Sequence, residues 1–143
     1  LLNHAIVDNN LAGTLPQEIR TLTFLEDFRI PLNKLRGPLP LWLSEYRQLC
    51  LIEVHNNQLT GPIPEGIYDK ADFDLITLGN NMLSGTISTR IGEFRNLLGF
   101  HIHDNHFSGT IPTEFGLLSP DTLGKCTRQK SWANFLVKCI INM

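Results

Sequence analysis

Asn57-Gln58-Leu59-Thr60-Gly61-Pro62-Ile63-Pro64 carries a pattern, Asn-x-Leu-x-Gly-x-Leu/Ile-Pro, that recurs through the chain without slippage. Its asparagine stands at Asn9, Asn33, Asn57, Asn81 and Asn105, each 24 residues after the last, and its glycine at Gly13, Gly37, Gly61, Gly85 and Gly109. A fixed period in the 20–29 range is the mark of a solenoid, in which each repeat buries its apolar face only by stacking on its neighbours. The pattern divides residues 1–120 into repeats 1–24, 25–48, 49–72, 73–96 and 97–120, and leaves 121–143 as a tail.

Numbered from Leu1, positions 1, 4 and 6 of a repeat read Leu25, Phe28 and Ile30, then Leu49, Ile52 and Val54, Phe73, Ile76 and Leu78, and Leu97, Phe100 and Ile102. The step from position 4 to position 6 puts both side chains on one face of a strand. Stacked strands then form one curved parallel sheet. Position 9 is always Asn, whose amide can satisfy backbone groups that the turn after the strand leaves buried. Stacking predicts an asparagine ladder of Asn9, Asn33, Asn57, Asn81 and Asn105. Position 11 returns to the core, Gly at 13 marks backbone that excludes a side chain, and position 19 buries the convex side. Ser88 stands where other repeats have Pro, and Lys70 replaces an apolar residue, which predicts a looser convex segment around 68–72.

The stretches Leu59-Thr60-Gly61-Pro62-Ile63-Pro64 and Phe107-Ser108-Gly109-Thr110-Ile111-Pro112 resemble the Leu-x-Gly-x-Ile-Pro signature of plant-type leucine-rich repeats. The chain is similar over about residues 1–120 to the ectodomains of receptor-like kinases and receptor-like proteins, and to polygalacturonase-inhibiting proteins. That resemblance implies an α/β solenoid, a right-handed leucine-rich repeat superhelix of five repeats with a parallel concave sheet. It also implies recognition of a protein, peptide or small ligand, and favours an extracellular or cell-surface location. The family's N-terminal cysteine-bearing cap, kinase and membrane segment are not in this sequence.

After Pro120 the period fails. Trp132, Phe135, Leu136, Cys139 and Ile140 follow the spacing of one helical face, so 129–141 is read as a C-terminal capping helix; the alternative is a tail with no such role. Cys126 and Cys139 either pair, stapling the end of the array, or stay as thiols, and Cys50 is expected to be free. Leu1 opens the chain at the first position of a repeat, so a fragment is expected. Its uncapped end, with Leu1, Ile6 and Leu11, predicts self-association.

Apolar residues make up 42% and charged residues 18%, ordinary for a folded soluble chain. A formal net charge of −2 gives no basic stripe for nucleic acid, and no apolar run approaches the ~20 residues of a membrane helix. No nucleophile elbow, phosphate-binding loop or kinase signature occurs, so no catalytic residue, no cofactor and no enzyme activity are expected.

Binding is expected on the concave face, where positions 3, 5, 7 and 8 alternate with the buried positions 4 and 6. The residues assigned to it are Asp27, Arg29, Glu53, His55, Asn56, Thr77, Asn80, His101, His103 and Asp104. Two other functions compete with recognition. One is an intracellular structural scaffold; the other is a metal site at His101 and His103, two apart on one strand face with Asp104 adjacent.

Overall fold

The computed structural model describes residues 6–118. Nine short strands run through them: β1 (Ala12–Thr14), β2 (Asp27–Arg29), β3 (Lys34–Pro38), β4 (Leu51–Glu53), β5 (Gln58–Gly61), β6 (Leu75–Thr77), β7 (Met82–Gly85), β8 (Gly99–His101) and β9 (His106–Phe107). They form two parallel sheets, not one. The concave sheet has the order β2-β4-β6-β8, and the second sheet β1-β3-β5-β7-β9. The solenoid is thus the expected one, with a second sheet along its flank that the apolar spacing did not reveal.

The two sheets differ in register. In the concave sheet Phe28 lies opposite Ile52 and Ile52 opposite Ile76, so equivalent positions pair. In the second sheet Ala12 lies opposite Lys34 and Gly37 opposite Leu59, two residues short of equivalence. Each strand there is slid by two residues, ~6.6 Å, along its neighbour. Stacked repeats are thus level in the concave sheet and offset along the strands of the second sheet.

Leu43, Ile52, Val54, Leu59, Phe73, Leu78, Leu83 and Ile91 are completely buried. On the convex side the repeats turn through 3-10 helices at Gln17–Thr21, Leu41–Ser44, Glu65–Ile67, Thr89–Glu93 and Thr113–Leu117. Pro16, Pro40, Pro64 and Pro112 precede four of them at φ between −58° and −75°, the value the proline ring imposes. Ser88 takes that place in the fourth repeat and accepts a hydrogen bond from the Arg90 N–H at 3.4 Å. The departure from Pro is compensated by an N-cap.

Lys70 does not loosen its segment. Tyr68 beside it is 1% exposed, and the Lys70 ammonium donates to the carbonyls of Tyr46, in the preceding repeat, and Leu49, at the start of its own, while lying 5.1 Å from the Phe73 ring centroid. Its stem fills the apolar position, and its head closes backbone groups that a leucine would leave open. Burial, only partly offset by Asp72, holds its pKa down to about 8.

Cys50, expected as a free thiol, is disulfide-bonded. The predicted capping helix at 129–141, the pairing of Cys126 with Cys139 and residues Leu1 and Ala5 lie outside the described residues.

Candidate functional site

The asparagines tie the concave strands to the turns behind them. Asn57 Oδ1 accepts from the Leu35 N–H at 3.0 Å, and its Nδ2 donates to the carbonyls of Ile30 at 2.9 Å and Val54 at 3.1 Å. Asn81 repeats this with Leu59, Val54 and Leu78, and Asn105 with Leu83, Leu78 and Ile102. Asn33 accepts from the Leu11 N–H and donates to Ile6 and Pro31. Asn9, exposed, donates to Val7 at 2.9 Å. One side chain thus serves both polar ends of each turn, within its own repeat and across to the one before.

One residue ahead of each Asn the backbone is left-handed: Asp8, Leu32, Asn56, Asn80 and Asp104 have φ of 52–56°. Asp and Asn tolerate this conformation; leucine does so at a cost. Asn56, Asn80 and Asp104 were assigned to the binding face as strand residues. They are instead the turn at its rim, and the column's Asp/Asn bias was the signal of that turn.

The strand residues of the face fall into two halves. In the first, Arg29 lies between Asp27 (Nη2–Oδ2 3.2 Å) and Glu53 (Nε–Oε2 3.7 Å). The longer contact is an ion pair but not a hydrogen bond, and Arg29 Nε is buried with no hydrogen-bond partner. Asp27 and Glu53 are half-buried, so this triad is a fixed feature of the sheet.

The second half carries the imidazoles. His55 Nδ1 is 3.3 Å from Thr77 Oγ1, and Thr77 stands opposite His101 in register. Thr77 is 7% exposed, so it offers a ligand little surface and serves chiefly to hold His55. His103 Nδ1 lies 2.8 Å from Asp104 Oδ2; a carboxylate only accepts, so Nδ1 carries the proton. The His103 ring lies against Gly79, one strand back, where a Cβ would meet Nε2 at 2.5 Å. His101 has its pKa lowered, first by burial and then by repulsion from His103 and His55, so the three rings sense one another.

Leu75, in the strand column that includes Asp27, is a half-buried apolar residue beside the polar columns; Leu51 in the same column is buried, 7% exposed. Among the described residues no group of three His, Cys, Asp or Glu side chains is placed to hold a metal ion, so the histidines form no metal centre of that kind. No described helix is long and apolar enough to cross a membrane.

No family model matches the chain, and no curated protein matches it in sequence. Solved structures do. The Arabidopsis receptor kinase HAESA, in complex with the peptide hormone IDA and the co-receptor SERK1, superposes with a TM-score of 0.77 at 30% identity, covering 82% of this chain and 20% of that one. The BIR3–SERK2 complex from Arabidopsis thaliana gives 0.74 at 26% identity, over 78% of this chain and 60% of that chain. A plant ice-binding protein gives 0.76 at 25% identity, over 81% and 41%. This chain therefore spans about a fifth of the HAESA chain. The 24-residue signature and the stacked parallel sheets are thus similar to those of plant leucine-rich repeat receptor ectodomains.

Proposed function

We propose that this chain is a non-catalytic recognition module that binds a peptide or protein ligand through its concave face, as part of a receptor-like or inhibitor-like protein. One observation carries the reading. Four adjacent repeats present Arg29, Glu53, His55, His101 and His103 on a continuous sheet face beside the half-buried apolar Leu75, while the convex side is packed with Trp42, Tyr46, Tyr68 and Phe94. A polar face of paired strands suits an extended peptide, whose side chains alternate. The similarity to HAESA, solved with a peptide hormone, supports the same reading. The disulfide at Cys50 fits an oxidising, extracellular setting. Self-association belongs to the proposal too, through the apolar end where Ile6, Val7, Leu11 and Phe24 are exposed.

A displayed library of extended peptides, panned against the chain, tests recognition. Selected peptides should lose binding on Glu53→Arg and keep it on Arg90→Ala, with a cooperative melting curve showing that Glu53→Arg is folded under the binding conditions. Failure to select any peptide, or loss of binding only from the convex change, would remove the reading.

A further inference from the structure

Of the three imidazoles of the concave face, His103 is in contact with a carboxylate, while Glu53, on the same face, is paired with Arg29, which also holds Asp27. Asp104, at the rim, is in contact with His103. His55 has a hydroxyl for a partner, Thr77, and His106 at the start of β9 adds a further imidazole at the edge. Residues beyond Leu118 lie outside the described set. Protonation of the rings places positive charge on this face, and Asp104 offsets it at His103 alone among the contacts of the three described rings.

The geometry concentrates that charge. His101 and His103 are two residues apart, ~6.6 Å along the chain. His55 and His103 belong to strands two apart, ~9.6 Å, but Gly79 stands in the column between them and has no side chain. The His103 ring occupies that space, with Nε2, Cε1 and Cδ2 all within 2.9 Å of where a Gly79 Cβ would be. The ring thus leans over the Gly79 backbone, on the side of its own strand that faces His55. The half-buried Leu75 lies alongside, an apolar neighbour that suits a peptide side chain better than a free inorganic anion.

Resting on the concave-face reading above, we propose that His55, His101 and His103 form one anion subsite that takes an aspartate or glutamate side chain of an extended peptide, and takes it more tightly as the rings become protonated. A glutamate side chain, pKa ~4.3, stays ionised at pH 5.5, so the ligand keeps its charge while the site gains its own. By linkage, the bound carboxylate must raise the imidazole pKa values in turn.

Titration calorimetry with a six-residue glutamate peptide and its glutamine counterpart, at pH 5.5 and 7.5, tests this. The glutamate peptide should bind at least tenfold tighter at pH 5.5, with no such change for the glutamine peptide. The gain should vanish in the His55→Gln, His101→Gln, His103→Gln triple variant, checked for folding by its melting curve. Gly79→Ala keeps all three rings but displaces one, and should reduce the gain severalfold; it and the single His→Gln variants carry the test if the triple variant does not fold. Imidazole NMR titrations should show ring pKa values rising when the glutamate peptide is added. A glutamate affinity that is flat with pH, equal for the glutamine peptide, or unchanged in the variants would overturn the subsite. Selection of neutral peptides that bind the concave face at pH 7.5, with a flat glutamate result, would overturn the subsite alone and leave recognition standing.

Discussion

His103 occupies the space that a side chain at Gly79 would fill: its Nε2 lies 2.5 Å from the position of a Cβ there. The glycine has no need of a left-handed backbone, since its φ is not among the positive values of the chain. Its role is to admit the ring. Gly79→Ala should therefore leave the backbone unstrained and push the imidazole outward, at a stability cost within ~0.5 kcal/mol because the displaced group is the end of a mobile side chain. Imidazole NMR signals of His103 should move while the melting temperature holds. A large fall in melting temperature with an unmoved ring would show that the backbone, not the ring, fills that space.

The asparagine ladder should be steeply graded from end to end. Asn57 is buried and joins one N–H acceptor contact to donor contacts with the Ile30 and Val54 carbonyls. Asn57→Ala removes the side-chain partner of the Leu35 N–H and the Ile30 carbonyl, while the Val54 carbonyl keeps Asn81; at about 1–3 kcal/mol for an orphaned buried group, a total near 3 kcal/mol is expected. Asn9 is exposed and makes its bond to Val7 at the surface, where water replaces it; Asn9→Ala should cost under ~1 kcal/mol. Urea unfolding of the two variants measures the contrast, and equal losses would mean that the ladder does not hold the repeats through buried bonds.

Leu32 is the misfit in the left-handed column, at φ 56° among Asp8, Asn56, Asn80 and Asp104. It is also 42% exposed, so little burial offsets the strain. Leu32→Asn should stabilise the chain by about 1 kcal/mol, the cost of holding such a residue in that region. A lower melting temperature in the variant would show that Leu32 packs on something worth more than its strain.

The period of 24, the apolar ladder and the turn asparagines were legible because each repeats a side-chain requirement at a fixed spacing. The second sheet was not. Its strands contain Gly13, Gly37, Gly61 and Gly85 at positive φ and, in β3, Pro38, residues that intrinsic preference removes from strands. They pair only because stacking brings them together, and in a register two residues out of step with the repeat. Of the candidate site, the columns of Arg29, Glu53, His55, His101 and His103 could be read from alternation alone. The burial of Thr77 could not, since it depends on what the neighbouring repeats place alongside, whereas the turn at Asn56, Asn80 and Asp104 had a signal in the Asp/Asn bias of its column. Lys70 looked like a fault because the sequence does not show the Tyr46 and Leu49 carbonyls waiting for its ammonium.

Asp74 should make the chain's stability depend on pH in an unusual direction. Burial first, then repulsion from Asp27 and Asp72, raises its pKa from 3.8 to about 6. The folded state thus holds this proton more firmly than the unfolded one. The stabilisation is complete below pH ~3.8 and is lost as pH rises through about 6, leaving an unfavourable charge at neutral pH. A shift of about two units corresponds to about 3 kcal/mol, but the carboxyl is only half-buried and solvent screens it, so about 1 kcal/mol is the reasonable expectation. Asp74→Asn should therefore raise the melting temperature by about 4 °C at pH 7.5 and by nothing at pH 3.5. His101 works in the opposite sense: its folded pKa is lowered, by burial and by His103 and His55, so its contribution is intact above ~6.5 and lost as pH falls through the folded value. His101→Gln should matter below pH ~6.5 and not at 7.5, which separates the two groups in one set of melting curves. An Asp74→Asn variant no more stable than the parent at pH 7.5 would mean that the carboxylate is better solvated, or better partnered, than its position between Asp27 and Asp72 implies.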